Sequence, residues 1–275
     1  MPELVLLILG LLAALVGVMA AAWIVQRAAR DTGWVDVFWT LGSGAACVAA
    51  ALWPLPSDQA LPERRWLVAA LAGVWSLRLS LYIAVRVARA AEEDSRYRAL
   101  RETWGAAYQR RLLPFVLVQA PVGAVLALAA ALAARAPGSE LGLRDMAALA
   151  IGILAVAGES LADAQMSRFR KDPANHGRIM DEGLWGLSRH PNYFFEWITW
   201  WAYPVLALDP SRPVTWLSLG APLVMFLILR FVTGVPPLER SMLARRGQAF
   251  AEYQSRVNAF VPGPPRRPAP ESKTA

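Results

Sequence analysis

Leu4 to Val25 is a run of 22 residues without one charge. A bilayer core about 30 Å thick is crossed by about 20 such residues in a helix. Within that core a helix satisfies its own backbone N–H and C=O groups, whereas an open strand cannot. Similar runs recur at Val35–Trp53, Trp66–Val85, Leu112–Ala134, Met146–Leu161, Tyr193–Leu208 and Trp216–Val232. Of the 275 residues 56% are hydrophobic and 18% are charged, against about 25% charged in soluble domains. The pattern predicts an all-α polytopic membrane protein with about seven transmembrane helices. Trp34, Trp53, Trp66, Trp185 and Trp216 fall at the ends of runs, where interfacial aromatic belts sit. The first run lacks a basic leader and is longer than the apolar part of a signal peptide, so it is read as a retained helix.

The basic residues predict an orientation. The connecting segments 27–33, 86–111, 164–192 and 233–275 hold 21 of the 28 Lys and Arg, and the alternate segments 54–65, 135–145 and 209–215 hold 5. Cytoplasmic loops concentrate positive charge, which sets the N-terminus outside and the C-terminus in the cytoplasm, as in a bacterial inner membrane. The net charge of +7 is therefore read as topology, and no nucleic-acid partner is expected. The single cysteine, Cys47, forms no intrachain disulfide, and no Cys/His spacing suits a metal. Residues 1–260 are expected to form one domain, with a substrate half near 1–135 and a cofactor half near 140–260. The Pro-rich segment 261–275 is expected to be disordered.

Ionisable residues inside spans are costly and mark functional sites. Here they are Asp36, Arg78, Glu159, Asp163, Glu196 and Arg230, all toward the predicted cytoplasmic ends. Glu159 and Asp163 are four apart and share a helix face. Arg78, Tyr82 and Arg86 form one stripe in the third run, and Asp36 lies at a depth suited to pair with Arg78. Arg168, Arg170, Lys171 and Arg178 follow the acidic pair, and Arg forks suit phosphates. The stretch GLWGLSRHPNYFFEW then gathers Arg189, His190, Asn192, Tyr193 and Glu196 around Pro191. Proline can open a helix without losing a needed donor, and the helix N-terminus favours an anion. No dinucleotide fingerprint, Walker A sequence or Ser-His-Asp order is present. Gly42-Ser43-Gly44 lies inside an apolar run and reads as small-residue packing.

GLWGLSRHPNYFFEW, the preceding ESLADAQMSRFRKD, DVFW at Asp36–Trp39, EDSRY at Glu93–Tyr97 and the segment LERSMLARRGQAFAEYQSRVNAFVPGPP carry a resemblance. Together they resemble the steroid 5-alpha-reductase-like membrane proteins, and within them a bacterial branch described only as a domain of unknown function. The resemblance implies NADPH held in a cytoplasm-facing cavity. It implies cofactor contacts for Asp163, Arg170, Asn192, Tyr193 and Glu196, with Glu159 where the steroid reductases carry an amide. Arg86, Lys171, Arg178, Arg189 and His190 are added to the expected cofactor set from their place in the cluster. The steroid reductases carry a Gln-Glu pair in the second span, and this chain offers Asp36 there; Tyr82 is the nearest match to their catalytic tyrosine. Catalysis is thus assigned to Asp36 and Tyr82, with Arg78 orienting them.

The expected reaction is reduction of a carbon–carbon double bond conjugated to a carbonyl, in a lipophilic substrate entering from the bilayer. A protonated Asp36 or the Tyr82 hydroxyl would stabilise the developing oxyanion. The competing expectation is an S-adenosylmethionine-dependent methyltransferase of the isoprenylcysteine carboxyl type, to which the R-H-P-x-Y stretch is also similar. A third is a lipid-binding or transport protein, set lower because no internal repeat is visible. The partners expected are membrane lipids and the lipophilic substrate, with the chain acting as a monomer.

Overall fold

The computed structural model describes residues 2–55, 60–90 and 92–266. Helix accounts for 79% of the described residues, and no strand occurs among them. The helices are α1 (Pro2–Ala29), α2 (Trp34–Leu52), α3 (Pro62–Arg89), α4 (Ser95–Trp104), α5 (Tyr108–Leu117), α6 (Ala120–Ala134), α7 (Leu143–Lys171), α8 (Pro191–Thr199), α9 (Ala202–Ala207), α10 (Gly220–Leu227), α11 (Val235–Arg246) and α12 (Gln248–Arg256).

Six stretches among the described residues are long and apolar enough to cross a membrane: Pro2–Ala29, Trp34–Leu52, Pro62–Arg89, Ser95–Ala134, Leu143–Lys171 and Pro213–Arg246. The span expected at Tyr193–Leu208 is not among them. It is broken into α8, of nine residues, and α9, of six. At 1.5 Å per residue these cover about 14 and about 9 Å, well short of a bilayer core. Pro204 accounts for the break, because it has no N–H to return to the Trp200 carbonyl one turn earlier. An apolar run has the same hydropathy broken or continuous, so composition alone did not reveal the interruption.

The chain forms two compact units. The first runs to Gly152 and regains Trp200–Val224; the second comprises Ile153–Thr199 and the residues from Met225 onward. A cut near residue 140 therefore differs from the observed division, since 200–224 returns to the first unit.

In the first unit α2 packs against α1, α3 and α6. Its buried face is small: Thr40, Ser43, Gly44, Ala46, Cys47, Ala50 and Ala51. A Cβ at Gly44 would lie 2.1 Å from the Ser76 side chain of α3, so only glycine permits this approach. The Ser76 hydroxyl donates to the Thr40 carbonyl at 3.0 Å. Ala-rich α6 adds Ala127, Ala129, Ala130, Ala131, Ala133 and Ala134 to the core. Lipid tails are as apolar as side chains, so helices in a bilayer associate by close van der Waals packing, which small residues allow. At one end of this unit Arg64 forms a bidentate pair with Asp145, at 2.6 and 2.7 Å. Its guanidinium also donates to the carbonyls of Ala136 and Pro137. Arg65 and Arg135 donate to the last carbonyls of α2, at Ala50, Ala51 and Leu52, where a cation complements the helix dipole.

The second unit contains the C-terminal half of α7, a connecting loop, α8, α11 and α12. An aromatic group of Phe194, Trp197, Phe226 and Phe260 fills its interior, with ring centroids 5.5 to 6.2 Å apart. Between α10 and α11 the backbone forms a π turn over Ile228–Val232. Of the expected disordered tail, 267–275 lies outside the described residues. The described part is tied down by Gly263 N to Leu187 O at 3.0 Å and Arg266 N to Arg256 O at 2.8 Å.

Candidate functional site

The sequence-predicted residues divide between the two units. In the first, Asp36 stands in the opening turn of α2, and both of its carboxylate oxygens are engaged. Arg96 Nη2 donates to one at 2.7 Å and Tyr97 Oη donates to the other at 2.6 Å. Arg96 forks, since it also donates twice to Asp94 at 3.0 Å. Asp94 in turn caps α4 by accepting from the Arg96 backbone N–H at 3.0 Å, a standard way to satisfy an orphan donor. Arg86 approaches Asp94 at 3.7 Å. Burial pushes the Asp94 carboxyl up, but the charge and hydrogen bonds of Arg96, joined by Arg86, outweigh it and bring it down to about 2.

Beside this group Glu93 accepts from the Thr32 hydroxyl at 2.6 Å and from both arms of Arg101, at 2.9 and 3.0 Å. These bonds hold the Glu93 carboxyl below its ordinary value although burial opposes them. Thr32 shares a further hydrogen bond with the Tyr108 hydroxyl at 2.8 Å. Glu93–Tyr97 is thus a clamp that fixes α4 to the α1–α2 connection and orients Asp36.

Two expectations change here. Asp36 is held by Arg96 and Tyr97, and not by Arg78. The Arg78 guanidinium stands over the Tyr82 ring at 5.8 Å, a cation–π geometry, and Tyr82 packs against Val37, Ile83 and Val87. The hydroxyl that reaches Asp36 is that of Tyr97, and not that of Tyr82. The physical reason is reach: Arg78 is on α3, whereas the N-terminus of α4 delivers Arg96 and Tyr97 directly to the first turn of α2.

In the second unit Pro191 opens α8 as expected, and Phe194 N donates to His190 O at 3.1 Å to start the helix. Ahead of it, Ser188 Oγ bridges the Phe260 carbonyl and the His190 N–H, at 2.8 and 3.1 Å. Trp185 Nε1 donates to Ala162 O at 3.0 Å, and Leu184 N donates to Gln165 at 3.1 Å, which fasten the loop to α7. Gly158 lets α8 lie on α7: a Cβ there would come within 2.4 Å of the Phe195 ring. Glu159 and Asp163 on α7 and Glu196 on α8 are all buried, at 3%, 6% and 4% exposure. Asn192 and Tyr193 are half-buried in the first turn of α8.

Arg189 has a different task from the one expected. Its Nε donates to Glu239 at 2.7 Å, and its Nη1 donates to the carbonyls of Gln254 and Val257 at the end of α12. Its backbone N donates to Asn258 O at 2.8 Å. With its side chain 9% exposed, Arg189 acts as a clamp whose Nε and Nη1 are committed to Glu239 and α12. The same Glu239 carboxylate receives His190 Nε2 at 3.2 Å and Gln254 Nε2 at 2.8 Å. Burial keeps the His190 imidazole below its ordinary value, with Arg189 and Arg230 acting in the same direction against Glu239. Neutral His190 therefore donates a hydrogen bond to Glu239 through Nε2–H, leaving Nδ1 as an acceptor that has no hydrogen-bond partner among the described residues. Its ring stacks on Tyr193, 8° from parallel, at 5.7 Å.

Arg170, Lys171 and Arg178 are exposed. Arg178 donates to Asn175 at 2.9 Å, while Arg170 and Lys171 make no ion pair with any described residue. No group of three His, Cys, Asp or Glu suited to a metal occurs among the described residues. Sequence reasoning missed Glu239, Gln254, Arg96 and Tyr97 as partners. The last two stood in the quoted EDSRY motif, but nothing in its spacing indicated that it would reach Asp36.

Helices of this length and hydropathy, with buried carboxylates and arginines fixed at their ends, define a multi-pass, all-helical membrane protein. The chain belongs to the family described as Protein of unknown function (DUF1295), whose model matches residues 22–257, and which is related to the steroid 5-alpha-reductase-like proteins. The chain is also similar to a Delta(14)-sterol reductase (erg24A) of Aspergillus fumigatus, with 34% identity over 82 residues. That likeness covers 23% of this chain and 16% of the fungal protein's length. No solved structure matches the chain.

Proposed function

We propose that this protein is a membrane-embedded, NADPH-dependent reductase of a carbon–carbon double bond conjugated to a carbonyl in a lipophilic substrate. The observation that carries the reading is the Arg96–Asp36–Tyr97 array, a buried hydroxyl hydrogen-bonded to an ion-paired carboxylate among apolar helices. Membership of a family related to steroid 5-alpha-reductase-like proteins and the partial likeness to a sterol reductase support it.

The donor set of the second unit fits a dinucleotide. Glu159, Asp163 and Glu196 offer acceptors for ribose hydroxyls, and Asn192 and Tyr193 offer polar groups at the start of α8. Arg170, Lys171 and Arg178 offer exposed cations for phosphates. His190 adds a fixed acceptor at Nδ1, and Arg189 holds His190 and Glu239 in place without touching the nucleotide. NADPH, when bound, supplies hydride. The protein's own part is to polarise the substrate carbonyl and to deliver a proton. Tyr97 Oη, whose single proton bonds Asp36 in the resting structure, would turn that proton toward the oxygen on which negative charge develops. Asp36 stands beside that hydroxyl, Arg96 holds Asp36 in place, and the apolar first unit excludes water. Arg78 and Tyr82 belong to the wall beside this array. The orientation predicted from the basic segments would open the second unit's polar groups to the cytoplasm.

The test is nucleotide binding by the purified chain in detergent. A ligand that binds only the folded state raises apparent stability by about 2.7 kcal/mol at a hundredfold excess over Kd. NADPH should raise the thermal midpoint and S-adenosylmethionine should not. The reverse result would move the protein to the methyltransferase reading, and protection by neither would return it to lipid binding or transport.

A further inference from the structure

The second unit carries cations that the proposed chemistry does not use. Arg168 at the end of α7 and Arg245 and Arg246 at the end of α11 are exposed. None of the three makes a hydrogen bond or ion pair with any described residue. The ends of α7 and α11 both reach the connecting loop. Arg246 Nη1 lies 3.7 Å from the Cβ position of Gly177. Beside it Arg178 bonds Asn175 at 2.9 Å, and Asn175 Nδ2 donates to Phe169 O at 3.2 Å in the last turns of α7. The nearby acids are otherwise engaged: Asp172 caps the 173–175 turn, and Asp181 is paired with Arg256.

Their level relative to the apolar surface is the second observation. On α7, Leu154 and Leu161 are 59% and 52% exposed, and Arg168 follows at the same spacing of seven, hence on the same face. The step from Leu161 to Arg168 is about 10 Å along the helix. A lipid-facing stripe that ends in a cation after that rise places the cation in the headgroup layer, which extends several ångströms beyond the hydrocarbon on each side. On α11, Leu243 is exposed in the turn that carries Arg245 and Arg246.

We propose that Arg168, Arg245 and Arg246 form a docking surface for the phosphodiester headgroup of an anionic phospholipid, from the membrane in which the chain is embedded. The arginines suit the ligand because a guanidinium presents paired donors to phosphate oxygens, and the apolar stripe beneath them accepts the acyl chains. None of the three arginines belongs to the proposed nucleotide set, and the proposal does not depend on the NADPH reading.

The experiment is native mass spectrometry of the full chain in detergent with phosphatidylglycerol or phosphatidylcholine, for the parent and the triple variant Arg168→Gln/Arg245→Gln/Arg246→Gln. The parent should retain phosphatidylglycerol in preference to phosphatidylcholine. Basic residues at a membrane surface contribute about fivefold each, so the variant should lose about a hundredfold in apparent affinity for phosphatidylglycerol at an unchanged thermal midpoint. The triple Lys variant, which keeps the charge, should retain most of the preference. Equal phosphatidylglycerol retention by the parent and the Gln variant would overturn the proposal. So would displacement of the lipid by excess inorganic phosphate, which would make this a free-phosphate site. A loss of NADPH affinity in the Gln variant with lipid retention intact would also overturn it.

Discussion

Replacing Arg189 by Met distinguishes an architectural clamp from a cofactor ligand. The substitution keeps the aliphatic volume and removes three donated contacts, the ion pair to Glu239 and the two carbonyl bonds at the end of α12, and with them the order they impose on Glu239, the partner of His190. Glu239, with its side chain 14% exposed, would be left as a nearly buried carboxylate without its strongest partner. Removing one member of such a pair costs about 3–5 kcal/mol, because the remaining charge stays desolvated. For a chain of this size each kcal/mol moves the thermal midpoint by about 2–4 °C, so the variant should melt about 6–20 °C below the parent at one scan rate in detergent. Arg189→Lys should fall between them, since an ammonium can meet Glu239 but cannot reproduce the planar fork to two carbonyls. The double variant Arg189→Met/Glu239→Gln should recover part of the loss by discharging the stranded carboxylate. NADPH affinity, measured well below the melting range, should fall less than stability does. A midpoint within about 2 °C of the parent, together with a large loss of NADPH affinity, would refute the clamp and restore Arg189 to the phosphate-binding set.

In the first unit, Asp145→Asn should destabilise the protein by about 3–5 kcal/mol, because Arg64 is buried and bidentate with that carboxylate. The paired variant Arg64→Met/Asp145→Leu should regain much of the thermal midpoint; no recovery would mean that the carbonyl bonds of Arg64 matter more. Tyr97→Phe removes a 2.6 Å hydrogen bond to Asp36, a bond to a charged group being worth about 1.5–3 kcal/mol. Turnover of an enone substrate should drop about ten- to hundredfold while NADPH affinity holds, and equal losses in both would contradict the division between the units. The acid limb of stability should report Asp94, whose folded carboxyl is brought down to about 2 from its ordinary value of 3.8. Its contribution is complete above pH 3.8 and is lost as pH falls toward 2, by about 2–3 kcal/mol. Asp94→Asn should flatten the pH dependence of the melting midpoint in that window alone.

The division of labour between the clusters explains why residue type was a poor guide to role. Arg189 and Arg170 look alike in sequence, each a cation near the R-H-P stretch. One is consumed by Glu239 and two carbonyls, and the other is exposed to solvent. Arg64 was counted as an ordinary loop charge, yet it is one of the most buried ion pairs described, at 6% side-chain exposure. In both cases the partner lies 50 or more residues away, beyond any local pattern.

Hydropathy alone determined that the chain is helical and suited to a membrane, because the requirement to satisfy backbone groups without water leaves little alternative to helices over runs of that length. Local chemistry also determined the start of α8 at Pro191, since proline is tolerated where no helical donor is needed, and the small-residue face of α2 at Ser43 and Gly44. Only the tertiary structure decided that Tyr97 and not Arg78 reaches Asp36, and that Glu239 gathers Arg189 and His190. These are long-range pairings. A charge in a span must find a partner, and which partner it finds depends on where the other helices bring their ends, a relation that no periodicity within one helix records.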